Sequence, residues 1–214
     1  MLKLDVPGLR NRATPTLDIR MYPVILRRKA AASHFVSVID TYKGKSSITS
    51  ARKLSCGKKN VAVVEVVSGE FTDVVIIDNS GSADPVTFDY HGKAVSFSGK
   101  TGVITLKNGK VARLWMSGSK LLSCGDKKLA GDAEISGVIT GIDLQKKSIA
   151  TSVKGTVPFN CNDEYMLIPG VRDGAYRIKS VGNDGVFTLY DDEVIRLAVG
   201  NKFVVSGTYC QDFN

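Results

Sequence analysis

Strand-like runs recur along this chain every eight to twelve residues, each closed by Gly, Asn or Asp, and no window of eleven or more residues holds a 3.6-residue apolar stripe. Such a chain cannot lay amphipathic helices on a core; it must bury strand against strand, and the fold class it predicts is all-β. The runs include 61-VAVVEVV-67, 71-FTDVVIID-78, 85-PVTFDYHGKAVSFSG-99 and 101-TGVITLKNGKVARLWM-116. Further on come 164-EYMLIPG-170, 175-AYRIKSV-181, 186-VFTLY-190, 193-EVIRLAV-199 and 202-KFVVSGTY-209. Two hairpins are nearly explicit: Asn108-Gly109 is the pair that a type I′ turn requires, and 182-GNDG-185 divides two runs in the same way. A third is expected around 143-DLQKK-147. No fixed-period repeat or low-complexity tract is present, which sets aside solenoids and propellers.

The alternation breaks at 117-SGSKLLSCGDKKLAGDAE-134, and the charge balance changes across the same stretch. Residues 1–118 hold 18 Lys/Arg against 9 Asp/Glu, whereas 119–214 hold 11 against 12. The expected organisation is an antiparallel β-sandwich over 1–118, a linker over 119–133, and a smaller all-β domain, barrel or sandwich, over 134–214. The basic excess of the first part raises the encounter rate with anionic partners such as uronic-acid polysaccharide, nucleic acid or anionic lipid, and does not choose among them.

With 43% hydrophobic and 23% charged residues, the composition is that of an ordinary globular protein. No run approaches the ~18 uninterrupted apolar residues of a membrane helix, and no membrane partner is expected. The first twenty residues lack the apolar segment and small-residue cleavage site of a signal peptide. Cys56, Cys124, Cys161 and Cys210 form no CxxC pair, so zinc-ribbon and thioredoxin readings fall away. An even count allows two disulfides in three connectivities; scattered cysteines in a chain with a large core read as free thiols. Nucleotide, dinucleotide, hydrolase-elbow and zincin motifs are absent from the sequence, and no cofactor or metal is expected.

The most conspicuous basic feature lies in 22-YPVILRRKAAASHFVSVIDTY-42, where two β-patterned runs flank Arg27, Arg28 and Lys29. The interval 29-KAAAS-33 has the length of a hairpin connection, so the triplet is expected at a strand end. Two adjacent arginines there could pair bidentately with carboxylate or sulfate, and His34 could contact the same anionic sugar from across the hairpin. The competing reading is a solvated, charged edge that resists strand pairing. Lys43, Lys45, Arg52 and Lys53 continue the basic character.

The succession LRRK, FVSVIDTYKGK, ITSARKL, FTDVVIIDNSG and FDYHGKAVSFSGKTGVITLKNGKV resembles the C-terminal β-sandwich region of heparinase II/III-like polysaccharide lyases, over roughly residues 1–125. The resemblance implies a parent enzyme that cleaves acidic, uronate-containing polysaccharide by β-elimination. It also implies an N-terminal helical toroid, absent from this sequence, with the catalytic groups and a metal site falling in that toroid and in the first part of the β region upstream, and a periplasmic or extracellular location for the parent. No motif here matches the family's catalytic residues, so this region is expected to bear none and to support the missing catalytic domain. Arg27, Arg28, Lys29 and His34 are the expected substrate contacts. A free-standing carbohydrate-binding or cell-surface module without catalysis is the alternative.

Within the chain, 89-DYHG-92 places Tyr90 and His91 beside an acid. Successive strand residues point to opposite faces, so the expectation is a strand end and turn, not a shared site. Trp115, the lone tryptophan, is expected in a core or between the two domains. The contiguous acids Asp191, Asp192 and Glu193 read as a solvated turn, since they lack calcium-ligand spacing. Basic residues dispersed over several strands with few aromatics between them argue against a dedicated nucleic-acid binder.

Overall fold

The computed structural model describes residues 37–39, 45–170, 174–182, 185–190 and 197–213, and these hold strands, turns and loops only. The first seven strands are β1 (Ile48–Leu54), β2 (Val61–Ser68), β3 (Phe71–Asp78), β4 (Val86–Tyr90), β5 (Lys93–Lys107), β6 (Lys110–Cys124) and β7 (Lys127–Ala130). The remainder are β8 (Glu134–Asp143), β9 (Ser148–Thr151), β10 (Tyr165–Leu167), β11 (Ala175–Val181), β12 (Val186–Leu189), β13 (Lys202–Ser206) and β14 (Thr208–Asp212).

Strands β1 to β7 and β14 form one eight-stranded antiparallel sheet with the spine β1-β2-β3-β5-β6-β14; β4 pairs with β5 and β7 with β6 off that path. The all-β expectation holds, and among the described residues the region expected as a sandwich is, in its hydrogen bonding, one continuous sheet. The cause is the length of β5 and β6, 15 residues each, which lets one hairpin serve two neighbourhoods. Residues 93–97 of β5 pair with β4, and residues 101–107 pair with β3.

The change-over falls at Gly99, where the register shifts and φ is +150°. A side chain there would collide with Ser119, whose Cα lies 2.2 Å from the position of a Cβ. Buried Ser119 completes the bulge: its Oγ accepts from the Lys100 amide at 3.1 Å and lies 2.9 Å from the Ser117 carbonyl oxygen it can donate to. The two halves then share one core, in which Val63, Val74, Ile76, Ile104 and Leu114 from the spine meet Val86, Val95, Phe97 and Leu122 from the β4 side. Gly102 permits that approach, because a Cβ there would stand 2.8 Å from the Phe97 ring. Each such side chain contributes about 1.5–3 kcal/mol through its burial.

The other six strands close on themselves in the order β10-β11-β12-β9-β8-β13, every neighbour antiparallel. Alternation fills this ring with Ile139, Ile149, Met166, Tyr176, Ile178, Phe187, Phe203 and Val205, a core separate from that of the sheet. Phe187 and Phe203 meet edge to face at 5.8 Å, the geometry that the aromatic quadrupole favours.

The stretch 119–133, expected as a linker, is occupied by the second half of β6 and by β7. The Gly and Ser residues in and beside it read as loop punctuation, whereas they sit at the bulge and turn of paired strands: Gly118 (φ +59°), just before it, and Gly125 (φ +61°) within it are both left-handed. The run 202-KFVVSGTY-209, expected as one strand of the smaller domain, divides at Gly207, and its tail becomes β14 of the sheet. The ring is thus inserted between β7 and β14, with two connections side by side. The Gly118 amide donates to the Gly207 carbonyl (2.9 Å), the Gly207 amide to the Ala133 carbonyl (2.8 Å), and the Asp132 amide to the Tyr209 hydroxyl (2.8 Å).

Candidate functional site

An acid interrupts the most apolar strand of the sheet. Glu65 occupies an inward-facing position of β2 after Val61 and Val63, and only 5% of it is exposed. A carboxylate so placed must be hydrogen-bonded or neutralised. Arg52, directly opposite on β1, donates Nε to Oε1 at 2.6 Å and Nη2 to Oε2 at 3.1 Å, a bidentate fork. The Tyr90 hydroxyl, at the end of β4, donates to Oε2 at 2.8 Å and so ties the β4 side of the sheet to the spine. His91 Nε2 lies 3.8 Å from the same oxygen, and its ring meets that of Tyr90 edge to face at 4.6 Å.

The electrostatics follow from this geometry. The Arg52 hydrogen bonds outweigh burial and hold Glu65 below the usual carboxylate range. The hydrogen bond and charge of Glu65 push Arg52 higher still. Burial first, and then donation to Glu65, push the Tyr90 phenol well above its ordinary value. Tyr90 is therefore a donor in this network, and Glu65 is an anchored anion that accepts three hydrogen bonds. Arg52, its side chain 58% exposed, and His91, 66% exposed, turn toward solvent. The arrangement can present a rigid guanidinium edge and an imidazole to an anionic group.

Arg27, Arg28, Lys29 and His34, the expected substrate contacts, lie outside the described residues, as do Lys43, Asp191, Asp192 and Glu193. Tyr90 and His91, expected on opposite faces, are brought to one carboxylate. His91 is not a strand residue: it takes a left-handed conformation, φ 51°, in the turn that Gly92 closes by donating its amide to Asp89 Oδ1 at 2.9 Å. Trp115 is half-buried on the outer face opposite Val103 and Cys210, while Leu114 and Met116 take the core, so of the two expected places, a core or between the two domains, the core is excluded. Sequence reasoning missed Glu65; the available signal was a single acid at an inward position of an apolar run.

Two further features complete the chemically equipped surface. A polar row crosses the outer face of the sheet, with Thr105 donating to Asp73 at 2.6 Å and Arg113 to Asp212 at 2.5 Å. On the ring, Tyr165 and Tyr190 are exposed, and Arg177 lies 5.1 Å from the Tyr190 ring centroid. All four cysteines are free thiols; burial raises Cys124 and pushes Cys161 up to about 11. Among the described residues no three His, Cys, Asp or Glu side chains gather as metal ligands, and no helix is long and apolar enough to cross a membrane.

The molecule is thus an all-β protein in which a basic, bent sheet carries a closed six-stranded insertion. Comparison with family models, with curated proteins and with solved structures found no match.

Proposed function

We propose that this chain is the non-catalytic C-terminal β-region of a heparinase II/III-like polysaccharide lyase, and that its sheet contacts an acidic, uronate-containing polysaccharide. In this reading the bent sheet is the family's sandwich and the ring a small barrel. The parent is periplasmic or extracellular, and its helical domain, upstream of this sequence, performs the β-elimination. That reaction needs a base for the proton α to a carboxylate, a donor to neutralise that carboxylate, and an acid for the leaving oxygen. Tyr90, held protonated by its burial and by its donation to Glu65, suits a supporting role and not the base.

The observation that carries this reading is the charge of the sheet. Residues 45–130 bear 13 Lys/Arg against 7 Asp/Glu. Three of those acids are already engaged by basic side chains of the sheet: Glu65 by Arg52, Glu70 by Lys107 and Asp126 by Lys127. Lys53, Lys59, Lys93 and Lys110 have no acidic partner among the described residues, so their field is directed outward. A free-standing carbohydrate-binding module is the second reading, favoured by the exposed tyrosines of the ring.

The test is a titration of wild type, Arg27→Glu/Arg28→Glu and Arg52→Ala with alginate and heparin at low and high salt, with the absorbance of unsaturated product followed in parallel. Binding that weakens with salt, because exposed charges are screened over ~8–10 Å at physiological ionic strength, that falls in both variants and yields no product is expected. Absence of binding, or product formed by this chain alone, would overturn the proposal.

A further inference from the structure

The outer face of the ring carries an aromatic row that the core does not need. Tyr165 of β10 stands directly opposite Arg177 of β11, and the amide of Tyr190, just after β12, donates to the Arg177 carbonyl at 3.0 Å. Three adjacent strands therefore set tyrosine, arginine and tyrosine side by side. Tyr165 is 53% exposed and Tyr190 47%, while their strand neighbours Met166 and Leu189 are fully inside. The guanidinium lies against the Tyr190 ring and donates Nη2 to Asp163 Oδ1 at 2.8 Å. Leu167, 46% exposed, extends the same face along β10.

We propose that this row is a binding site for an uncharged glycan chain. Aromatic faces exposed in a line accept the C–H faces of pyranose rings, and burying them there removes apolar surface from water. Two strand spacings of ~4.8 Å each separate the tyrosines, which sets the two rings about two sugar units apart along a chain. Sugar hydroxyls donate and accept at once, and the Arg177–Asp163 pair beside the rings carries both kinds of group. The charge balance selects the ligand. Arg177 is compensated by Asp163, and residues 134–206 hold 8 Lys/Arg against 9 Asp/Glu, so no positive field draws a polyanion to this face. The site is independent of the acidic polysaccharide proposed for the sheet.

The experiment is isothermal titration of the full chain with a cello-oligosaccharide and a malto-oligosaccharide, each at low and high salt. Wild type binds at least one of them with an affinity that salt leaves unchanged. Tyr165→Ala and Tyr190→Ala each weaken it about tenfold, equivalent to losing ~1.4 kcal/mol, and Tyr165→Phe retains it. Both positions are exposed, and unchanged circular dichroism verifies the fold of each of the three variants. Binding of neither oligosaccharide, binding that survives both alanine substitutions, or an affinity that collapses with salt overturns the proposal. Alginate binding by the sheet is measured on the same samples, so the two sites fail or stand separately.

Discussion

The sheet and the ring are both antiparallel and both built around fully buried Phe, Ile and Val side chains, yet they treat their strand edges in opposite ways. Among the described residues the sheet leaves β1 at its margin, and five of the seven residues of that strand are exposed, Arg52 and Lys53 among them. Charge on an edge strand discourages pairing with another chain, and under the proposed function the same charge meets the anionic ligand. The ring has no edge to defend, because β10 pairs with both β11 and β13. Its outward positions are free to be aromatic, as Tyr165 and Tyr190 are. Closure thus decides where charge is needed, and the distribution of charge separates the kinds of ligand that each region can attract.

The largest effects should come from the two separate cores. Phe97→Ala in the sheet and Phe203→Ala in the ring each remove a fully buried ring and should cost about 3–5 kcal/mol. Trp115, the lone tryptophan, sits in β6, so its fluorescence reports the sheet. In urea, Phe97→Ala should lower the midpoint seen by fluorescence, whereas Phe203→Ala should lower a transition seen by circular dichroism and leave the fluorescence midpoint in place. Equal movement of both signals in both variants would make the sheet and the ring one cooperative unit.

The Glu65 network should distinguish the regions next. Tyr90→Phe removes a hydrogen bond to a buried charged group, at a cost of about 1.5–3 kcal/mol. The network also gives the sheet its own pH dependence. Glu65 is depressed in the folded state, so its contribution is present above the ordinary carboxylate range and is lost as acidification passes through its folded value. Tyr90 is raised, so its contribution is present below the ordinary phenol value of about 10 and is lost as pH climbs beyond it. Glu65→Gln should flatten the acid limb and Tyr90→Phe the alkaline limb of the fluorescence-monitored stability profile. An unchanged profile in both variants would remove the network from the account. The smallest effect is expected at the exposed pair Lys100–Glu134, 3.0 Å apart, where Lys100→Ala should shift the denaturation midpoint by less than about 1 kcal/mol.

Much of the fold is legible in the sequence wherever local chemistry decides it. Asn108 and Gly109 both adopt positive φ, 50° and 76°, as a type I′ turn demands, and the hairpins at 143–147 and 182–185 fall where the punctuation places them. Legibility ends where a residue's role depends on distant partners. Ser119 and Gly118 read as loop residues until β5 is laid beside them, and Gly207 reads as mid-strand until β14 is seen to return to β6. The Glu65 network joins residues 52, 65, 90 and 91 from three strands and a turn, and only its buried acid left a local trace. Period-two alternation failed for Tyr90 and His91 because it presumes an extended backbone, and His91 lies in a left-handed turn.

The decisive measurement is a map of backbone amide chemical-shift changes on addition of alginate at low salt. Perturbation of β1, of the turn at Lys58 and Lys59, and of the turn at His91 and Gly92, reversed by added salt, is the predicted result. Perturbation confined to β10, β11 and Tyr190, with the sheet unmoved, would contradict the assignment of acidic-polysaccharide contact to the sheet.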